Sequence, residues 1–193
     1  MKKKTIALVL ACILCVGIGI GGTLAWLTDK TDSVTNTFTT SDIDITLTET
    51  TGSNYKMVPG CTIAKNPKVT VVAGSEKCYL FVKLEESDNF DDFLTYTVAD
   101  GWTALTGEDG VYYRIVEASD TNQDFDVISG NAVTVSGEVT KSMMNAIDEG
   151  KATNPTLTVT AYASQFVKNS DATNNSFTAA DAWTNAQPTT PTT

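Results

Sequence analysis

The side chains best equipped for chemistry in this sequence fall in three places. The first is an acidic run, Asp120-Thr121-Asn122-Gln123-Asp124-Phe125-Asp126, whose oxygens are the kind that hard cations take. Against a calcium-binding EF-hand loop it fails in detail. Phe125 stands where glycine is obligatory and Asn131 where a bidentate glutamate is needed. It reads as a solvated acidic loop, with a calcium site of another kind as the alternative, and the same holds for a second cluster of Glu85, Glu86, Asp88, Asp91 and Asp92. The second place is the pair Cys61 and Cys78. Outside the cytoplasm they can bond, closing a loop worth about 3 kcal/mol of chain entropy; they can equally remain buried thiols. The third is Thr23-Leu24-Ala25, a small-x-small pattern that a signal peptidase cuts, with Trp26 just beyond it.

Absences narrow the chemistry further. The chain has no histidine, which removes the commonest general base and the commonest zinc ligand. A cysteine-only zinc site would need two more ligands near Cys61 and Cys78, and the sequence offers none. No G-x-S-x-G elbow occurs. With 23 acidic residues, some pair of carboxylates will always suit glycoside hydrolysis, so that pattern carries no information. The chain reads as a non-enzyme with no cofactor and no metal.

The cleavable tripeptide ends a leader. Lys2, Lys3 and Lys4 form a basic start, and Thr5 to Leu27 is an uncharged stretch of 23 residues. That is long enough to span a bilayer, so retention as an anchor competes with cleavage after Ala25. Gly17, Gly19, Gly21 and Gly22 weaken a helix in its outer third, and no basic stop-transfer cluster follows. Leu10-Ala11-Cys12 loosely resembles a lipoprotein signal, but lipidation there would strand an apolar run behind the modified cysteine. Cys12 and Cys15 read as small hydrophobes of the leader. Removing residues 1–25 leaves ten basic against 23 acidic residues, a net charge of −13. Such a chain is repelled by nucleic acid and by anionic membranes. Membrane contact is expected only through an uncleaved leader.

Beyond the leader the pattern is β. Ile43, Ile45 and Leu47 alternate with polar residues, and Val69, Val71 and Val72 make a short strand ended by Gly74. Cys78 to Glu86 is apolar on nearly both faces and is expected at a sheet centre. Leu94 to Ala99 alternates. Trp102–Leu105 and Val111–Ala118 read as a hairpin across Gly107–Gly110. Phe125–Ile128, Ala132–Val139 and Leu157–Phe166 complete the strands, the last expected to be buried. Lys141–Glu149 reads as a short helix closed by Gly150, and Phe177–Ala186 as one or two helical turns with Ala179, Ala182, Trp183 and Ala186 on one side. The predicted organisation is a signal helix over 1–25, an N-terminal segment over 26–40, an all-β jelly-roll-like β-sandwich with minor short helices over 41–187, and a disordered tail over 188–193.

Several of these segments together resemble a known family. GIGGTLAWLTDKTDSVTNTFTTSDIDITL is similar to the leader end and early mature segment of exported Gram-positive proteins cut by a SipW-type signal peptidase. MVPGCTIAKNPKVTVVAG followed by YLFVKLEES, and the late TVTAYASQF, resemble segments of the TasA/camelysin family. The resemblance spans most of residues 17 to 166. It implies a secreted jelly-roll domain that self-associates into extracellular fibres of a biofilm matrix or cell surface. The freed segment Trp26 to Phe38 would complete a neighbour's sheet, with Val34 and Phe38 as anchors. An alternative is a monomeric surface adhesion module for matrix polysaccharide or protein. Some relatives are called metallopeptidases; a chain without histidine or H-E-x-x-H does not carry that chemistry.

Overall fold

The computed structural model describes residues 42–52, 55–168 and 175–187. The expected signal helix, its cleavage residues Thr23, Ala25 and Trp26, the segment carrying Val34 and Phe38, and the tail from 188 lie outside the described residues. Everything described falls in one compact unit, Thr40–Thr193.

The architecture is an all-β sandwich of three antiparallel sheets with a few short helices. The first sheet has β1 (Ile45–Thr48), β3 (Lys68–Val71) and β8 (Gln123–Asp126) in the order β1-β3-β8. The second has β4 (Cys78–Glu86), β6 (Thr103–Ala104), β7 (Val111–Val116) and β10 (Leu157–Gln165) in the order β10-β4-β7-β6. The third has β2 (Thr62–Ala64), β5 (Leu94–Thr95) and β9 (Ala132–Val135) in the order β2-β9-β5.

The third sheet was not expected from the sequence, and its origin is local. Residues 62–71 and 123–135 form one antiparallel ribbon that is broken midway. Ala64 pairs with Ala132 and Lys68 with Asp126, so three residues face five across the break. Pro67 has no N–H for a ladder, and Gly130 and Asn131 adopt φ +63° and +52°. Val127 donates to Pro67 O, and Lys65 to Asn131 O, stitching the bend.

Alternation then makes the cores. Val69 and Val71 of β3 face Cys78, Leu80, Val82 and Leu84 of β4, all buried. The opposite face of β4 carries Tyr79 and Phe81. These are covered by a C-terminal helix (Ala179–Ala186) whose Trp183 ring lies 5.3 Å from Phe81 and 5.1 Å from Tyr162. The strand expected at the sheet centre is therefore buried on both faces, as its composition requires. Thr178 caps this helix by accepting from Asp181 N. Two further helices, Phe90–Phe93 and Lys141–Asp148, pack with the third sheet on a second core of Phe90, Phe93, Ile128, Val133 and Val135. Number them α1 (Phe90–Phe93), α2 (Lys141–Asp148) and α3 (Ala179–Ala186). Among the described residues no helix is long and apolar enough to cross a membrane.

Two expectations need correction. The strand expected to be buried, Leu157–Gln165, is only half-buried, with Ser164 alone buried. Among the described strands it pairs with β4 alone and forms the margin of the second sheet. Its Val159, Ala161 and Ala163 alternation is the same for an edge strand facing a core, so sequence could not tell the two apart. The possible Cys61–Cys78 bond is absent, and both thiols are free. Cys78 opens β4 with its thiol in the first core, whereas Cys61 is exposed just before β2, in the third sheet.

Candidate functional site

The central strand of the second sheet, β4, is covered on both faces, which leaves the lateral margins of the sandwich as places where a partner strand could add. These margins are built differently. At one, Arg114 of β7 lies with its guanidinium 4.0 Å from the centre of the Phe125 ring and 5.3 Å from that of Trp102. Trp102 donates through Nε1 to Asp126 O at 2.8 Å, tying the second sheet to β8 of the first. Gly101 leaves the room, since a Cβ there would come within 2.8 Å of Arg114 Nη2. Burial lowers the Arg114 pKa, yet an arginine stays charged, so its partners are the two ring faces. The margin strands here are short or charged. β6 has two residues, and β8 carries Asp124 and Asp126.

The acidic run resolves into this same β8 margin. Asp124 accepts from Thr70 Oγ1 at 2.6 Å, Asp126 pairs with Lys68 at 3.8 Å, and Asn122 accepts from Ala73 N. Of the second acidic cluster, Glu85 pairs with Lys83, and Glu86 accepts from Tyr96 at 2.6 Å. Burial, together with that hydrogen bond to Glu86, raises the Tyr96 pKa. Among the described residues no group of three metal-ligating side chains converges.

The other margin is formed by β1 and β10, which lie side by side. β10 is nine residues long, LTVTAYASQ, with no charge and no proline. Natural edge strands are usually protected by shortness, charge, proline or a bulge, and β10 has neither of the sequence devices nor the short length. Its inward side chains Leu157, Val159, Ala161 and Ala163 are only half-buried, although they pack on the first core. On β1, Ile43 and Ile45 reach that core. Leu47, next on the same face, stands outside it with 39% of its surface exposed.

The end of this margin opens into a cavity of about 590 Å³. Its apolar wall is Met57, Ile63, Phe90, Leu94, Val133 and Leu157, and Leu157 packs on both cores. The rim carries Tyr55 and Lys65. Lys65 Nζ meets Glu49 Oε2 at 2.6 Å, and Asn66 accepts from the backbone N–H groups of Thr50 and Thr51. The cavity therefore lies where β1 finishes and β10 begins.

Of the residues singled out by sequence, Cys61 and Cys78 are kept apart, and Thr23, Ala25, Trp26, Val34 and Phe38 lie outside the described residues. The cavity and the Arg114 stack were missed. Both join residues far apart in the chain, and the one local signal was an arginine set in an apolar strand, VYYRIV.

Comparison with protein-family models, with curated proteins and with solved structures returned no match.

Proposed function

We propose that this chain is an exported structural protein of the cell surface or biofilm matrix, assembling into extracellular fibres through its freed N-terminal segment. One observation carries the reading: a nine-residue, uncharged, proline-free edge strand with a half-buried apolar face. An extended segment added to such an edge gains backbone hydrogen bonds and covers the apolar side chains. The segment 26–40 has the composition for it, with Val34 and Phe38 on one side of an extended chain. The leader supports export, and its end resembles the substrates of a SipW-type signal peptidase. A cut after Ala25 would release the segment from the membrane, coupling processing to assembly.

The test compares residues 26–193 with residues 41–193 by sedimentation and electron microscopy. Filaments from the first and monomers from the second are expected. If both stay monomeric across concentration and pH, strand donation is wrong. Saturable binding of the monomer to a matrix polysaccharide or protein would then favour an adhesion module.

A further inference from the structure

We infer that the cavity at the end of the β1–β10 margin is a socket for Phe38 of a second copy of this chain, and that a chain's own Phe38 cannot fill it. The inference rests on the strand-donation reading and adds to it an occupant, a direction and a register.

Reach decides between the two copies. Asp42 is fixed at the far end of the margin, where its carbonyl accepts from Glu76 N in the β3–β4 connection, at 3.0 Å. From there β1 runs towards the cavity. The cavity wall at Lys65 adjoins Asn66, which accepts from Thr50 N, so the wall is level with Thr50, eight residues further on, or about 26 Å at strand rise. Phe38 precedes Asp42 by only four residues, which extend to about 14 Å at most. The ring adds roughly 5 Å, so the chain's own Phe38 falls short even if the segment doubles straight back. A second copy has no such tether.

Spacing sets the register. Val34 and Phe38 are four residues apart and share a face of an extended strand. Leu157, at the cavity, and Ala161 are also four apart on the inward face of β10. A segment running antiparallel to β10 with Phe38 in the cavity places Val34 beside Ala161, where a small residue leaves room. Running parallel, with Phe38 in the same place, Val34 would fall beyond the start of β10. The apolar wall of Met57, Ile63, Phe90 and Leu157 suits a phenyl ring, and no described side chain occupies the space.

The experiment uses the full chain carrying a photoreactive benzoylphenylalanine at position 38, exported and processed by its host. Unlabelled and isotopically heavy protein are mixed, assembled, irradiated and digested. The expected adducts join position 38 to peptides containing Tyr55–Met57 or Asn154–Thr158, with heavy–light pairs at the statistical frequency. Adducts to these peptides only within one isotope label would overturn the trans assignment. Filaments whose adducts lie elsewhere would overturn the socket and leave strand donation standing. No filaments and no intermolecular adduct would overturn both. As a second measurement, Thr158→Trp, a change at an exposed cavity residue, should raise the critical concentration for assembly at least tenfold with unchanged monomer unfolding. An unchanged critical concentration in a folded Thr158→Trp protein would contradict the socket.

Discussion

The two margins of this sandwich solve the same problem in opposite ways. At the β7–β8 side, Arg114 is clamped between Trp102 and Phe125, and an indole hydrogen bond joins the sheets. Its edge strands are two and four residues long, and the longer carries two aspartates. At the β1–β10 side, small side chains, an exposed Leu47 and a long uncharged edge leave the core half-covered. Exposed long edges invite other chains to pair, so proteins that stay monomeric usually blunt them. One margin is defended and the other is not, which is the asymmetry that the proposed strand donation requires.

The largest effect on folding should come from opening the closed margin. Arg114→Ala removes two cation–π contacts and the aliphatic stem that packs with them, and should cost about 3 kcal/mol in denaturant unfolding. Assembly, referred to the folded fraction, should persist. A loss below about 0.5 kcal/mol would mean that the stack is ornamental and the two margins do not differ as claimed.

The two free thiols, one buried and one exposed, sharpen the contrast between defended core and open surface. Burial pushes the Cys78 thiol up to about 11 from 9.0. Below pH 9 it is protonated in both folded and unfolded chains and adds no pH dependence. Between pH 9 and 11 the unfolded thiol ionises while the folded one holds its proton, so stability falls as pH rises, on the order of 2 kcal/mol across that window. Cys78→Val should show a shallower decline over the same range; an identical slope would remove Cys78 as its source. In the native protein a thiol reagent should modify Cys61 at once and Cys78 only on unfolding. Rapid modification of both would contradict the closed core.

The smallest effect on stability is expected at Leu47. Because it lies outside the core, Leu47→Lys should shift monomer unfolding by no more than about 0.5 kcal/mol. The added charge at the open margin should nevertheless weaken assembly severalfold. A change of 2 kcal/mol or more in the monomer would show that Leu47 already contributes to a closed core.

What sequence could and could not disclose follows the range of the interactions. The apolar run CYLFVKLEE identified the doubly buried β4, because that pattern needs only its own residues. Gly150 after Glu149 marked the end of α2, and Ala182 with Trp183 marked the buried side of α3. The expected strand at Phe125–Ile128 lies instead at Gln123–Asp126, because Val127 and Ile128 are taken up by the bend against Pro67. Whether a strand is central or marginal depends on its neighbours, which the pattern of Leu157–Gln165 does not encode. The cavity joins Tyr55, Ile63, Phe90, Val133 and Leu157, and no local periodicity relates such distant positions.

The most direct test of the account is amide hydrogen exchange, residue by residue, on monomer and on filament. The account predicts new protection along Leu157–Gln165 in the filament and little change at Trp102–Ala104 and Gln123–Asp126. Protection gained at the Arg114 margin, with β10 exchanging as in the monomer, would contradict it.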